Sequence, residues 1–280
     1  MGVDKMDDIQ IEMMALRMRK RILDMSLRCE GPTHLGGGLS LVEIMAVLYG
    51  TVMNFQVDNP RWEHRDRCIL SKGHGVLGLY TVLAEVGFIG EDDFQSFKKN
   101  DSHLISHPVM NLDLGIESSN GSLGQGLSMA VGLAWAARRN SKNHSVYVVM
   151  GDGECNEGSV WEAAMSASQL KLGNIVTVVD HNGLQSDGST EDIISTSQLS
   201  DKWRSFGWYV HEVDGREISA LRSVLAMRSY AKPTCVVART IKGKGIDFME
   251  NNNEWHHNRL TQTMYERAVL SLSGNNECLS

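Results

Sequence analysis

The chain has 280 residues, which is enough for one large domain or two small ones. Apolar residues make up 42% and charged residues 22%, the proportions of a globular protein with a sizeable core, which excludes extended disorder. The net charge is −7 and no run of five like charges occurs, which argues against nucleic acid or an anionic membrane surface as a partner.

The N-terminal part of the sequence predicts three helices and one short strand. Apolar residues recur with the helical period in the first helix, and the turn at Glu30-Gly31-Pro32 ends it. Ser40 and Glu43 have the spacing of a capping box, which predicts the start of the second helix. The predicted helices span 11–27, 40–54 and 76–85, and the strand spans 67–70.

Strands and helices alternate from about residue 145 onwards. This order implies right-handed βαβ units and an α/β fold, with a parallel β-sheet flanked by helices on both faces. No linker or internal repeat divides the chain, so we expect a single domain over 1–280 with a frayed polar tail from about residue 274. The predicted strands span 146–150, 175–179, 208–213 and 234–238, and the predicted helices span 158–172, 197–206 and 218–229.

The sequence also predicts a cytoplasmic protein with reduced thiols. The first ten residues are acidic and polar, unlike a signal peptide, and no apolar run approaches the roughly 18–20 residues that cross a bilayer. The cysteines are scattered and contain no CxxC pair, so neither a disulfide framework nor a zinc site is expected. They are Cys29, Cys68, Cys155, Cys235 and Cys278.

Polar residues follow two of the predicted strands at the point where each strand ends. Asp152 lies between Gly151 and Gly153 after one strand, and Asn182 follows the next strand, 30 residues later. Because ligands of open α/β sheets bind beyond the carboxyl ends of the strands, we expect these side chains to lie side by side. A carboxylate and an amide oxygen suit Mg²⁺, which takes further ligands from phosphate and water. The glycines let a diphosphate approach the backbone, and the helix after Glu157 points its N–H groups at it.

Two other interpretations of these segments are less favoured. A Gly-Asp-Gly turn is also explained by turn chemistry alone, and the asparagine at the next strand end is what favours the metal site. A dinucleotide site is disfavoured, because GSLGQG at 121–126 lacks the GxGxxG spacing and does not follow a strand.

Five segments of the sequence resemble transketolases, in the order in which transketolases carry them. They are SKGHG (71–75), GSLGQGLSMAVGLA (121–134), GDGECNEGSVWEAAM (151–165), DHNG (180–183) and TIKGKGIDFMENNNEWHH (240–257). The resemblance covers roughly residues 10 to 260. It implies the thiamin-diphosphate-binding fold, with thiamine diphosphate and Mg²⁺ as cofactors.

The resemblance implies that the two strand ends bind the metal and the diphosphate. Asp152, Asn182 and the carbonyl of Leu184 would bind Mg²⁺. Gly151 and Gly153 would lie against the diphosphate of the cofactor.

Three further positions have roles in the family at the rings of the cofactor and at the dimer interface. Gly121 and Leu123 would line the rings of the cofactor. Glu157 would belong to an acidic relay across the dimer interface, where it would bind the cofactor and take part in catalysis.

Histidines would surround the reacting carbon of the sugar. By resemblance, His34, His74, His107 and His256 would contact the substrate, and His74 and His256 would also contact the cofactor. Cleavage of a ketose next to its carbonyl needs proton transfer from a hydroxyl group, which neutral imidazoles can perform near pH 7. His256 and His257 are adjacent, and we expect only His256 to point into the site.

The resemblance also implies a partner chain. Transketolases continue into a pyrimidine-binding domain, whose glutamate activates the cofactor, and into a C-terminal domain. A second polypeptide would supply both, in an α₂β₂ assembly that moves a two-carbon ketol unit from a ketose to an aldose. Pro32 and Thr33 precede His34, where transketolases usually have a small residue and a glycine. In transketolases the basic residues that hold the phosphate of the acceptor lie largely outside this domain, so the sequence leaves open whether the sugar substrate is phosphorylated, sulfonated or unmodified.

Two alternative functions remain at this stage. The α-subunit of a 2-oxoacid dehydrogenase or of an acyloin-forming enzyme also carries the Gly-Asp-Gly turn, but it lacks the SKGH segment and the late Trp-His pair. A non-catalytic relative that binds the cofactor or a partner is disfavoured by the intact His74, Asp152, Asn182 and His256.

Overall fold

Five parallel strands form the framework of the protein, in a computed structural model that describes residues 5–227, 229 and 231–274. The strands are β1 (Arg67–Leu70), β2 (Val146–Gly151), β3 (Ile175–His181), β4 (Tyr209–Asp214) and β5 (Thr234–Arg239). Their order in the sheet is β1-β2-β3-β5-β4, and every neighbouring pair is parallel. The predicted parallel α/β fold and all five predicted strands are therefore confirmed.

The register of the sheet brings the ends of β2 and β3 to one edge. Gly151, the last residue of β2, pairs with Asp180 of β3. β2 is buried along its whole length, as expected for an apolar strand covered on both faces. Asp152 and Asn182 consequently follow neighbouring strands at the same edge of the sheet.

Eleven α-helices surround this sheet within the described residues. They are α1 (Asp8–Arg28), α2 (Leu35–Leu39), α3 (Val42–Val47), α4 (Val76–Glu85), α5 (Glu91–Gln95), α6 (Gln125–Arg139), α7 (Gly158–Gln169), α8 (Thr190–Ile193), α9 (Leu199–Ser205), α10 (Ile218–Leu225) and α11 (Gln262–Gly274). The predicted helices at α1, α4, α7, α9 and α10 are confirmed, with shorter C-terminal ends in the last three. α11 was not predicted.

The predicted capping box at Ser40 and Glu43 is wrong. The chain there forms α2 and α3 as separate short helices, followed by a π-helical turn over Leu48–Val52. Ser40 Oγ donates to the buried carboxylate of Asp180, 140 residues away, instead of capping α3. Ser40 has helical φ and ψ at the end of α2, whereas an N-cap residue needs an extended backbone and a side-chain oxygen that accepts from the helix.

Two apolar layers pack on opposite faces of the sheet. Alternate residues of β2 divide between them, so that Val149 joins the layer with α1, α3 and α4, and Val148 joins the layer with α6, α7 and α9. This division follows from the two-residue repeat of a strand. None of the helices in the described ranges combines the length and the hydropathy needed to span a bilayer.

Two predictions toward the C-terminus fall partly or wholly outside the described residues. α10 ends at Leu225, before the predicted end at residue 229, and residue 228 lies outside the described residues. The predicted frayed tail also lies outside them, apart from Gly274, which ends α11.

The packing of α1 against α3, α4 and the sheet can be tested with a matched pair of variants. Ile22 is fully buried in α1, whereas Ile9 of the same helix is 71% exposed. We expect Ile22→Ala to lower the free energy of unfolding by about 2–5 kcal/mol, because it leaves a cavity, and Ile9→Ala to change it by less than about 0.5 kcal/mol. Denaturant unfolding measures both, and equal losses would contradict this placement of α1.

Candidate functional site

The carboxyl ends of β1, β2, β3 and β5 surround a cavity of about 350 Å³. Nine residues that the sequence analysis singled out line this cavity. They are His74, Leu123, Gly151, Asp152, Gly153, Glu157, Asn182, Leu184 and His256. Three others lie beside it, since the ring of His34 is 5.7 Å from that of His74 and 5.7 Å from that of His107, and Gly121 adjoins His107.

A buried ion pair joins the strand ends around the cavity. Lys72 Nζ donates to Asp180 Oδ2 at 2.5 Å, and both side chains are buried. Ser40 Oγ donates to the same carboxylate at 2.6 Å, and Thr240 Oγ1, just after β5, donates to its other oxygen. Burial alone would raise the pKa of Asp180, but the charge of Lys72 and these hydrogen bonds outweigh it and lower the pKa. The carboxylate therefore stays ionised and holds three strand ends together.

Asp152 closes the turn after β2 onto the turn after β3. Its Oδ1 accepts from the N–H of Gly153 at 2.8 Å, and its Oδ2 accepts from the N–H of Gly183 at 2.7 Å. Gly183 has a φ of 76°, which glycine adopts without strain. Burial, and then the negative charge of Asp180, raise the pKa of Asp152. Within the described part of the chain no lysine or arginine pairs with Asp152, so a bound cation would stabilise its ionised form.

Asn182 presents an oxygen beside Asp152. Its Nδ2 donates to Asp180 Oδ2 at 3.2 Å, which fixes the amide so that Oδ1 accepts from the N–H of Leu184 at 3.1 Å. No group of three or more His, Cys, Asp or Glu side chains among the described residues could hold a metal ion. A cation beside Asp152 and Asn182 would therefore need oxygen ligands from a bound phosphate, as Mg²⁺ commonly does.

Two buried amide donors in the cavity lack partners, and they fit an anionic group. Asn156 Nδ2 and Gln185 Nε2 have no hydrogen-bond acceptor in the described residues, and both residues line the cavity. An unsatisfied buried donor costs about 1–3 kcal/mol, which phosphate oxygens would recover. A Cβ on Gly153 would lie 2.7 Å from Gln185 Cγ, so only glycine leaves the backbone open here. Sequence reasoning missed both amides, because nothing in the pattern marks them.

Lys242 is a second lysine in the cavity that sequence reasoning missed. Its Nζ donates to the carbonyl of Gln185 at 2.9 Å, to Asn253 Oδ1 at 3.0 Å and to His256 Nδ1 at 2.9 Å. Burial, and then the charge of Lys72, lower the pKa of Lys242 to about 8. When Lys242 donates to Nδ1, the neutral ring of His256 carries its proton on Nε2. Its position directly after β5 was the signal that could have identified it.

Glu154 positions the loop that carries Leu123. The buried carboxylate accepts from Ser71 Oγ, from the N–H of Gly124 at 2.8 Å and from the N–H of Gly151 at 3.2 Å. Burial raises the pKa of Glu154. These contacts join the loop before α6 to the ends of β1 and β2, so Leu123 reaches the cavity.

Five histidine rings gather at one side of the cavity. The ring of His34 lies 5.7 Å from His74, 5.7 Å from His107, 5.5 Å from His256 and 4.4 Å from His257. His256 lines the cavity, as expected. His257 is exposed, yet its ring stacks on His34 at an interplanar angle of 29°. Of the adjacent pair, His256 is the one that lines the cavity, while the exposed ring of His257 packs against His34.

His34, His74, His107 and His256 are held neutral. Burial, and then His257, lower the pKa of His34 to about 3, while burial, and then Lys242, lower that of His256 to about 4. Burial lowers the pKa of His107 and, with Lys72, that of His74. Each ring can consequently donate one proton and accept another near pH 7.

Glu157 occupies the open rim of the cavity. It lines the cavity, it is exposed, and it directly precedes α7. The interfacial relay expected for it involves a second chain and stays a prediction.

The chain is similar to transketolases in comparisons with known proteins. The family model for the thiamine diphosphate binding domain of transketolase matches residues 14–271. An apulose-4-phosphate transketolase subunit of Phocaeicola vulgatus is 38% identical over 265 residues, which cover 94% of this chain and 94% of that protein. The 6-deoxy-6-sulfo-D-fructose transketolase subunit of a Clostridium species is 40% identical over 244 residues, covering 86% of this chain and 89% of that protein.

The fold of the chain is also similar to that of transketolases whose structures have been solved. The transketolase of Campylobacter jejuni superposes with a TM-score of 0.88 and 27% identity, over 96% of this chain and 43% of that one. The chain therefore spans about two fifths of that enzyme.

Removal of one ion of the buried pair should cost far more than removal of an exposed one. Lys72→Met leaves the Asp180 carboxylate buried without a cation, so we expect the free energy of unfolding to fall by about 3–5 kcal/mol. Lys142→Met is the matched control, because Lys142 pairs with the exposed Glu63, and it should cost at most about 1 kcal/mol. Denaturant unfolding without cofactor gives both values.

A double variant shows whether the loss arises from an uncompensated charge. Lys72→Met with Asp180→Asn should recover part of the stability that Lys72→Met loses, since no charge is then left unpaired. A single variant as stable as the unaltered chain would contradict the role of the pair.

Proposed function

The chain belongs to the transketolase family, and on this premise we propose that it is the diphosphate-binding subunit of a two-chain, thiamine-diphosphate-dependent transketolase. The observation that carries the proposal is the cavity itself. One wall holds Asp152, Asn182 and two unpartnered amide donors, and the other holds neutral histidines. A cofactor that carries both a diphosphate and a reactive ring would place its diphosphate against the first wall and its ring beside the histidines.

The strand ends would hold the Mg²⁺-diphosphate in a single diphosphate-binding domain. Asp152, Asn182 and the carbonyl of Leu184 would bind Mg²⁺, and Gly151 and Gly153 would let the diphosphate lie against the backbone. In support, the carboxylate of Asp152 is buried and forms no ion pair with a lysine or arginine of the described residues. The donor set consists of hard oxygens, which Mg²⁺ prefers.

Other residues of the cavity would position the cofactor. Gly121 and Leu123 would line its rings, and His74 would contact the diphosphate. Asn156 and Gln185 would donate to phosphate oxygens. Glu157, exposed at the rim, would face the partner chain.

The histidines would bind the sugar and move protons. Thiamine diphosphate supplies an electron sink for cleavage of the bond next to the ketose carbonyl. Neutral His34, His74 and His107 would accept or donate a proton at the hydroxyl oxygens of the substrate. Because Lys242 donates to Nδ1 of His256, the Nε2–H of that ring is the donor available to a substrate oxygen.

A second chain would complete the enzyme. Relatives that match along about nine tenths of their length or more include subunits of an apulose-4-phosphate transketolase and of a 6-deoxy-6-sulfo-D-fructose transketolase. The partner would carry the pyrimidine-binding and C-terminal domains in an α₂β₂ assembly. The reaction would transfer a two-carbon ketol unit from a ketose to an aldose. The transketolase family match favours this reaction over 2-oxoacid oxidation.

Dependence on the metal site can be measured by calorimetry of the assembled complex. Asp152→Ala should weaken Mg²⁺-dependent binding of thiamine diphosphate by at least about 10–100-fold, since it removes the charged metal ligand. Asp201→Ala, at an exposed position of α9, is the control and should bind as tightly as the unaltered chain. Circular dichroism checks that the fold is retained. Unchanged binding in Asp152→Ala would remove Asp152 from the metal site.

The need for two chains is tested by reconstitution. The chain is mixed with its candidate partner, thiamine diphosphate and Mg²⁺, and ketol transfer is followed from a panel of ketoses to a panel of aldehydes. We expect transfer only in the mixture, because the glutamate that activates the cofactor is expected on the partner. Transfer by this chain alone would refute the two-chain proposal, and no transfer in any mixture would refute the catalytic one.

A further inference from the structure

The loop after β5 carries two lysines that point to different parts of the molecule. This loop (240–245) follows the strand directly. Lys242 lines the cavity at the strand ends, whereas Lys244 lines a separate cavity of about 440 Å³ against α1, α10 and α11. Because only Gly243 separates the two lysines, the position of one constrains the position of the other.

Lys244 belongs to a cluster of ions with Arg19 of α1 and Glu43 of α3. Lys244 Nζ and Arg19 Nη2 both donate to Glu43 Oε1 at 2.6 Å, and Arg19 Nε donates to the carbonyl of Lys244 at 3.1 Å. Glu43 and Arg19 are buried. Burial alone would raise the pKa of Glu43, but the charges of Arg19 and Lys244 outweigh it and lower the pKa. The carboxylate therefore stays ionised, and this ion cluster joins the loop to two helices.

The backbone on either side of Lys244 is packed closely. Gly243 has a φ of 80° and Gly245 a φ of 94°, values that glycine adopts without strain. A Cβ on Gly245 would lie 2.9 Å from Arg19 Cδ, and a Cβ on Gly243 would overlap the carbonyl of Met249. The loop consequently leaves no space between itself and the ion cluster.

The other side of the loop holds Lys242 against three acceptors of the site. Its Nζ donates to the carbonyl of Gln185 at 2.9 Å, to Asn253 Oδ1 at 3.0 Å and to His256 Nδ1 at 2.9 Å. These contacts use all three protons of the ammonium group. A shift of the loop would therefore break at least one of them, and the contact with His256 is the one that leaves the proton of the neutral ring on Nε2.

We propose that Arg19, Glu43 and Lys244 are positioning residues, which hold the loop so that Lys242 meets His256 during ketol transfer. This inference rests on the proposed function. Among the described residues that line the cavity at the strand ends, none belongs to the ion cluster, so the cluster acts through Lys242 and not by contact with cofactor or sugar. A misplacement of about 1 Å that starts far from the reacting atoms can lower a rate about 100-fold.

The test measures ketol transfer by the assembled two-chain complex with thiamine diphosphate and Mg²⁺. Lys244→Met removes one of the two cations on Glu43, and we expect it to lower kcat by about 10-fold or more. The KM for thiamine diphosphate should change by less than about 3-fold, because no contact with the cofactor is lost. Lys244→Arg keeps the charge and should retain most of the rate.

A control separates loss of position from loss of stability. Lys142→Met removes a lysine that pairs with the exposed Glu63, before β2 at the opposite edge of the sheet, and it should leave kcat unchanged. Thermal unfolding of each complex sets an assay temperature at which every variant is folded.

A double-variant cycle separates positioning from general support of the fold. Lys242→Met removes the donor to His256 and should itself lower kcat. If Lys244 acts through Lys242, the addition of Lys244→Met to Lys242→Met should lower kcat further by less than about 2-fold. Glu43→Gln removes the shared charge but keeps an acceptor oxygen, and it should follow Lys244→Met in both backgrounds.

Three results would overturn the inference alone. An unchanged kcat in folded Lys244→Met and Glu43→Gln complexes would show that the site does not need the ion cluster. Equal losses of kcat with and without Lys242 would mean that the cluster supports only the fold. A raised KM for thiamine diphosphate at unchanged kcat would place its effect on cofactor binding. Absence of transfer by the unaltered complex would instead overturn the proposed function, and the inference with it.

Discussion

The buried pair of Lys72 and Asp180 is the interaction on which the site depends. Each ion loses several kcal/mol of hydration on burial, and the pair recovers this only because Ser40, Thr240 and Asn182 also donate to the carboxylate. An apolar pair could stabilise the fold equally well. The hydrogen-bonded ion pair also determines the geometry of the site. It fixes the ends of β1, β3 and β5 relative to one another, and it orients Asn182 so that the amide oxygen points away from Asp180.

Within the described residues, some polar groups of the cavity have no partner unless a ligand is bound. Lys72 is neutralised by Asp180, and Lys242 donates to neutral acceptors. Asp152 forms no ion pair in the described residues, and the amides of Asn156 and Gln185 have no acceptor there. A divalent cation bound to a diphosphate would supply the cation for Asp152 and acceptors for the amides. The neutral histidines beyond it then lie where a reaction that moves protons on a sugar needs them.

The sequence was informative where a local pattern determines structure, and silent where distant contacts do. Apolar β-branched runs predicted the strands, and strand ends predicted that Asp152 and Asn182 would meet. The order of β4 and β5 could not be predicted, because alternation of strands and helices leaves it free. The spacing of Ser40 and Glu43 suggested a helix cap, but the hydroxyl of Ser40 instead donates to Asp180, 140 residues away, a contact that no local pattern reveals. His256 lines the cavity as its motif predicted, but the sequence could not reveal that the adjacent His257 stacks on His34.

The most direct measurement is a crystal structure of the assembled two-chain complex with thiamine diphosphate and Mn²⁺ in place of Mg²⁺. The account predicts an anomalous peak for Mn²⁺ between Asp152, Asn182 and the diphosphate, with the thiazolium ring facing His34, His74 and His256. A metal bound elsewhere, or a cofactor with its ring turned away from these histidines, would contradict it.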